Sequence, residues 1–241
     1  MLLARETTKE KQRKTIYSAA ADLHCHILPC IDDGACSSEE SEQMIKKEQK
    51  QNIRYLAFSP HYYPDRMPFD VFLQMRDKAY ENLKGPDNKV WAEVRIHPDI
   101  LELDLKKLAL NDTYILLEFP YGRKPLWGAY VVEQVIAKGF VPVLAHIERF
   151  PYLSFDELHY FKKQGCVLQC NAGLLLKNRY LYREYFEAGM VDIIASDAHN
   201  MIDRVPNLQE AYQMIGKMYG DDIVEMMAEK SMDIWMGKHI L

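Results

Sequence analysis

Cysteine is scarce in this chain, with five residues in 241 and no even pairing available to them. A disulfide-stapled secreted scaffold carries a higher density and an even count, so the sequence argues for reduced thiols. Long apolar runs are missing as well. Nothing approaches the ~20 consecutive apolar residues that a membrane-spanning helix needs. The opening "MLLARETTKEKQRKTIYSAA" offers only "MLLA" before its charges begin, too short for the core of a secretion signal. Basic charge is not in excess: 30 Lys and Arg face 35 Asp and Glu, a formal net charge of −5, which argues against a nucleic-acid partner. Repeats, low-complexity tracts and Gly/Ser linkers are absent. The expectation is a cytoplasmic chain that does not span a membrane. Residues 1–20 read as a basic, loosely ordered arm and residues 21–241 as one domain.

Apolar runs of strand length recur where long ones are missing: "YSAAADL" (17–23), "RYLAFS" (54–59), "VWAEVRI" (90–96), "YILLEF" (114–119), "FVPVLA" (140–145), "CVLQC" (166–170) and "VDIIAS" (191–196). Helical patterns lie between most of them. One covers 38–52 behind a capping box from Ser37 to Glu40, and another covers 69–84 behind Pro68. A third, over 208–219, aligns Leu208, Ala211, Tyr212, Ile215, Met218 and Tyr219 on one stripe. Alternation of this kind implies parallel strands covered by helices, closed as a barrel or open as a doubly wound sheet. No G-x-G-x-x-G follows the first run, so a dinucleotide fold gains nothing.

The polar residues fall at the ends of these runs. The first runs into His24 and His26, with Asp32 and Asp33 just beyond, and the second into His61. Glu93 and Glu118 lie inside the third and fourth; His146 follows the fifth; Asp197 and His199 follow the seventh. Parallel strands that alternate with helices gather their C-terminal ends at one mouth. Imidazoles and carboxylates brought together there, away from water, are costly unless metal ions compensate them, and nitrogen and oxygen donors suit manganese, iron or zinc. H-x-H and D-x-H spacing on a strand turns both side chains to one face. His61 taken alone reads as an ordinary structural histidine, and so do His97 in a loop, His159 on a helix over 155–164 and His239 in the C-terminal tail. The cysteines form no C-x-x-C pair, and none is followed six residues later by arginine, so a C-x5-R phosphate loop is absent.

In order, "DLHCH", "DDG", "SPH", "AEVRIHPD", "LLEFP", "AHIERF" and "SDAHN" followed by arginine resemble the PHP (polymerase and histidinol phosphatase) superfamily, from about Ala21 to the C-terminus. Within it the likeness is greatest to bacterial metal-dependent tyrosine-protein phosphatases of capsule and exopolysaccharide loci. The resemblance implies an α/β fold, a distorted seven-stranded (β/α) barrel of PHP type, with three divalent metal ions, manganese ahead of iron or zinc. It implies that His24, His26, Glu93 and Asp197 hold one ion, that Glu93 bridges to a second held by Glu118 and His146, and that Asp33, His61 and His199 take the third. Asp32 is the weaker candidate beside Asp33. Arg149 and Arg204 match arginines that contact phosphate. One departure is Trp91-Ala92-Glu93, where relatives often carry Gly-Ala-Glu. The implied activity is hydrolysis of phosphotyrosine by a metal-bridging hydroxide, with the tyrosine-rich tail of a bacterial tyrosine kinase as partner; an oligomer is compatible with it. Two other readings stay open: another phosphoesterase of the superfamily, such as a histidinol-phosphate phosphatase, and a non-catalytic metal-binding protein on the same scaffold.

Overall fold

A computed structural model describes residues 20–240 except residue 86, so all but the last residue of the expected basic arm lies outside the described residues. Within them the chain alternates strands and helices. The strands are β1 (Ala21–Cys25), β2 (Tyr55–Phe58), β3 (His61–Tyr62), β4 (Asn88–Val90), β5 (Glu93–Arg95), β6 (Tyr114–Glu118), β7 (Val141–Leu144), β8 (Val167–Asn171) and β9 (Ile193–Ala195). They form two sheets, β1-β2-β4 and β3-β5-β6-β7-β8-β9, and every pairing between strands is parallel.

Two of the expected runs are broken. The stretch 54–62 bends at Ser59-Pro60, where proline cannot donate to a ladder, and the stretch 88–95 bends at Trp91-Ala92. Hydrogen bonds nonetheless cross both breaks: Trp91 N donates to Phe58 O at 3.0 Å and Glu93 N to Pro60 O at 3.0 Å. At the far side the second sheet meets the first again, with Asp197 N donating to His24 O and His26 N to Ala198 O, both at 2.8 Å.

Parallel strands covered on both faces read as nearly continuous apolar runs, and β6, β7 and β8 are buried throughout. Their two faces do different work. Leu23, Ala57, Trp91, Tyr114, Leu116 and Val143 belong to an inner cluster, together with Val167 and Ile193. Alternate residues such as Ile115, Leu117, Leu144 and Leu168 face a larger outer core beneath the helices. The period of two then carries the inner face toward the strand ends: Tyr114 and Leu116 lead to Glu118, Val167 to Gln169 and Asn171, and Trp91 to Glu93. Trp91 is fully buried. Its bulk therefore fills the floor under the polar ring.

The helices are α1 (Ser38–Lys50), α2 (Phe69–Glu81), α3 (Gly128–Ala137), α4 (Phe155–Lys163), α5 (Ala172–Lys177), α6 (Arg183–Glu187), α7 (Leu208–Tyr219) and α8 (Asp221–Met236). The expected capping box at α1 is half formed: Ser37 Oγ accepts from Glu40 N, but the Glu40 carboxylate accepts from Cys36 N and Met201 N instead of turning back to Ser37. A complete box caps α4, from Ser154 and Glu157. The expected stripe on α7 is buried through Ile215; Met218 is then exposed, while half-buried Tyr219 still packs against the core and stacks on Phe186 at 4.6 Å. No helix of the described residues is long and apolar enough to cross a membrane.

A buried carboxyl helps join the first sheet to the last strand. Asp22 Oδ1 accepts from Ser196 N at 3.1 Å and from His24 N at 3.3 Å, while Ser196 Oγ donates to Asp22 Oδ2. Burial raises the pKa of Asp22. Asp22→Ala strands a buried N–H of the β9 end, so its denaturation midpoint should fall by an amount equivalent to about 1–3 kcal/mol with an unchanged denaturant slope. A midpoint equal to wild type would remove Asp22 from the joint.

Candidate metal centre

Residues at the ends of β1, β6 and β7, at the starts of β3 and β5 and beyond β9 converge on one cluster. Glu93 lies at its centre, with no solvent exposure. Its Oε1 is 2.7 Å from His146 Nε2; its Oε2 is 2.8 Å from His61 Nδ1 and 3.3 Å from both His24 Nε2 and His26 Nε2. Glu118 Oε1 lies 3.6 Å from His146 Nε2. Toward solvent, Asp33 Oδ1 is 3.4 Å from His61 Nε2 and from His199 Nε2. The Asp33 side chain is 66% exposed, so the cluster opens on that side.

The histidines are oriented from behind. His26 Nδ1 meets Asp32 Oδ2 at 2.6 Å, His199 Nδ1 meets the Asp197 carbonyl at 3.0 Å, and His24 Nδ1 meets Gln169 Oε1 at 3.1 Å. Each of these acceptors holds a proton on Nδ1 and leaves Nε2 to face the cluster, the arrangement found behind metal-ligating histidines. Asp32 also accepts from His61 N at 2.9 Å and from Gly34 N at 2.9 Å. A Cβ at Gly34 would collide with the His26 carbonyl and come within 2.9 Å of Asp32 Oδ1, so only glycine lets this loop close on β1.

Asp197 divides its two oxygens. Oδ1 faces His24 Nε2 at 3.4 Å and His26 Nε2 at 3.5 Å. Oδ2 accepts from Asn171 Nδ2 at 2.6 Å, from Arg204 Nη2 at 2.8 Å and from Arg149 Nη2. Arg149 Nη1 also donates to Tyr121 Oη at 3.0 Å. Both guanidiniums therefore stand at the rim, partly exposed, anchored through one carboxylate oxygen. His146 and Asp197 both adopt positive φ, 31° and 50°. That strain, uncommon outside glycine, is retained where surrounding structure enforces it and clusters at functional sites.

Burial alone raises Glu93, but His24 and His61 beside it outweigh that and hold its carboxyl well below the usual range. Asp197 is held low in the same way, burial being outweighed by His24, His26 and Arg149. Glu118 lacks such support: burial, with the charge of Glu93 next to it, pushes it up to about 9. Burial takes His146 and His199 down to about 4. These neutral imidazoles offer lone pairs rather than charge.

All nine expected metal-ligating residues, His24, His26, Asp33, His61, Glu93, Glu118, His146, Asp197 and His199, fall within overlapping groups whose donor atoms lie within 4.8 Å of one another. His61, read alone as structural, is among them. Asp32 is not; it braces His26. His97 caps the short helical turn 98–102 and stands edge-on to Trp127, while His159 and His239 are exposed. Sequence reasoning passed over Gln169 and Asn171, because β8 carries no imidazole or carboxylate at its end and amides carry no metal signature. It also passed over Arg95, whose guanidinium lies 3.8 Å from the Tyr63 ring centroid, with Tyr63 stacked on His61 at 5.0 Å.

The donor set suits divalent cations. Glu118 Oε2, Asp197 Oδ1, His146 Nδ1 and His199 Nε2 are among the buried polar atoms that lack a hydrogen-bond partner, and Glu93 Oε2 and His61 Nδ1, 2.8 Å apart, are not aligned for one. Buried polar groups are normally satisfied, and a concentration of orphans within one cluster is what a cation resolves.

Comparison with known proteins agrees with this geometry. Residues 20–234 match the family described as capsular polysaccharide synthesis, CpsB/CapC. The tyrosine-protein phosphatase YwqE of Bacillus subtilis (strain 168) is 32% identical over 229 residues, covering 87% of this chain and 89% of that protein. The tyrosine-protein phosphatase CpsB of Streptococcus pneumoniae is 30% identical over 220 residues, covering 83% and 90%. A crystal structure from work on these two proteins, described as unique metal-dependent tyrosine phosphatases, superposes with a TM-score of 0.79 at 29% identity, over 92% of this chain and 96% of that one. With its α/β architecture of parallel strands and its cluster of potential metal ligands, this chain belongs to the CpsB/CapC family of capsular polysaccharide synthesis.

Proposed function

We propose that this chain is a metal-dependent phosphatase that hydrolyses phosphotyrosine in proteins. The observation that carries the reading is the ring of unsatisfied donor atoms around Glu93, bordered by two guanidiniums fixed on Asp197. A carboxylate and imidazole set of this size suits three ions. His24, His26, Glu93 and Asp197 hold one, Glu93 with Glu118 and His146 a second, and Asp33, His61 and His199 a third. Manganese is the first choice and iron or zinc the alternatives, since no thiolate belongs to the groups. The hydrogen bonds across Ser59-Pro60, Trp91-Ala92 and the β1–β9 edge support reading the two sheets as one distorted seven-stranded barrel. In that barrel β2 with β3, and β4 with β5, are single bent strands, and residues 21–241 form one domain. The substrate we propose is a phosphorylated, tyrosine-rich tail of a bacterial tyrosine kinase in the cytoplasm, in keeping with the capsule-synthesis description of the family.

Bound divalent ions would supply a hydroxide nucleophile near neutral pH and draw charge from the phosphoryl oxygens. The rest falls to the chain. Glu93 and Asp197 stay ionised and fix the positions of His24, His26 and His146. Arg149 and Arg204 spend one amino group each on Asp197 Oδ2 and keep further donors for the non-bridging oxygens of a phosphate. Tyr121 braces Arg149 from the other side. These donors are positioned before the reaction, where they stabilise charge most effectively. The leaving phenolate, with a pKa of about 10, needs only modest protonation.

Four outcomes test this. With manganese supplied, the protein should hydrolyse a phosphotyrosine peptide faster than histidinol phosphate at matched concentration; the reverse preference would reassign the substrate. Glu93→Ala should lose metal, measured by elemental analysis, and with it nearly all turnover. Arg149→Ala should keep its metal but lose about 10²–10³-fold in kcat/KM, as loss of one transition-state donor does; metal loss in that variant would refute the separation of roles. Glu118 supplies the pH test. Its folded pKa, about 9, lies above its ordinary value of 4.5, so folded protein without metal holds a proton that the unfolded chain releases. Stability is therefore lost as pH rises from about 4.5 toward about 9. After chelation, Glu118→Gln should raise Tm at pH ~8 and leave it unchanged at pH ~4. Equal Tm at both would mean that Glu118 is not held neutral.

A further inference from the structure

We propose that Gln169 is a positioning residue: through one oxygen it decides which nitrogen of His24 faces the ions and sets the backbone from which His146 projects. The proposal rests on the reading of His24 and His146 as metal ligands. Gln169 is completely buried on β8, whose end supplies no imidazole or carboxylate to the cluster.

The orientation of its amide is fixed by groups that have no choice. Gln169 Nε2 lies 2.7 Å from the Cys170 carbonyl, which can only accept. Gln169 Oε1 lies 2.9 Å from His146 N, which can only donate. Oε1 is therefore the acceptor, and the third group on the amide, His24 Nδ1 at 3.1 Å from Oε1, must bring the proton. A neutral His24 protonated on Nδ1 is bare on Nε2, and Nε2 is the atom that lies 3.3 Å from Glu93 Oε2 and 3.4 Å from Asp197 Oδ1.

The same oxygen supports His146. The β7 ladder ends at Leu144, and His146 turns into the left-handed region with φ 31° and ψ 56°. Its N–H points out of the ladder, and Gln169 Oε1 accepts it. In that conformation His146 Nε2 reaches 2.7 Å from Glu93 Oε1. One amide oxygen thus holds ligands from the ends of two strands, β1 and β7. An amide achieves this without adding another buried carboxylate to a cluster that already contains Glu93, Glu118 and Asp197. Gln169→Glu in its protonated form keeps an oxygen for both contacts and a hydroxyl to donate to the Cys170 carbonyl, whereas Gln169→Leu keeps none of the three.

The experiment compares wild type, Gln169→Leu and Gln169→Glu by two readouts that need no turnover. The first is affinity for manganese and zinc ions, by competition with a fluorescent chelator. The second is NMR of cadmium-loaded protein with isotope-labelled histidine, in which metal–nitrogen coupling reports the ligating atom. Wild type should couple through His24 Nε2 with a proton on Nδ1. Gln169→Leu should bind metal about 10–100-fold more weakly and lose the single His24 coupling, and Gln169→Glu should restore both. A leucine variant with wild-type affinity and coupling, or a glutamate variant as weak as leucine, would overturn the role. If the leucine variant does not fold, wild type decides: coupling through His24 Nδ1 overturns the proposal, and coupling through Nε2 with the glutamate variant intact sustains it. Wild-type protein that binds none of these ions overturns the metal reading itself, which is a different result from binding that ignores Gln169.

Discussion

One carboxylate surrounded by imidazoles sets the terms for the rest of this molecule. Glu93 stands within 3.3 Å of nitrogens from His24, His26, His61 and His146, with no water-accessible surface. An ion in that position costs several kcal/mol to desolvate unless its neighbours compensate it. The neighbours come from β1, β3 and the end of β7, so a favourable site exists only if those strand ends meet. The polar cluster and the closure of the strands are one requirement seen from two sides.

The structure meets that requirement by stacking two kinds of residue on one inward face. Below lies a dry floor of Leu23, Trp91, Leu116, Val143 and Ile193. Above it, at the next inward positions, lie Glu93, Glu118 and Gln169. A packed apolar floor keeps water from the deep side, so that charges in the cluster see one another in a medium of low dielectric. The exposed side is left to Asp33 and the two rim arginines, where an anionic ester could enter. Depth thus sorts the residues, with the buried candidate donors at the bottom and Asp33 and the two guanidiniums at the mouth.

Behind this lies a second set of residues that touch no ligand and decide its geometry. Asp32 turns His26, Gln169 turns His24, and Asn171 shares Asp197 with the arginines. Asn171 is in turn held from behind, its N–H by Glu148 and its carbonyl by Tyr182. The tyrosine phosphatase activity we propose depends on this shell as much as on the donors, because a ligand misplaced by one rotamer leaves an orphaned charge where a coordination bond should form.

The sequence by itself determined the alternation of strands and helices and most of the strand-length runs, because these follow from periodicities of two and 3.6 residues that any reader of the chain can count, whereas D-x-H lies beyond β9 and owes nothing to strand alternation. The sequence did not determine which face. In β1 the pairing register slips between Asp22 and Cys25, so Leu23 joins the inner floor, Cys25 the outer core, and His24 and His26 the cluster. A regular strand would have sent Leu23 and Cys25 to one side together. His146 and Asp197 likewise reach inward only through positive φ, which no residue type there announces. Gln169, Asn171 and the bracing role of Asp32 were illegible for a related reason: an amide or a spare carboxylate acquires its meaning from partners far away in the chain. Local pattern fixes the supply of donors, and tertiary structure alone decides which atoms of them face one another.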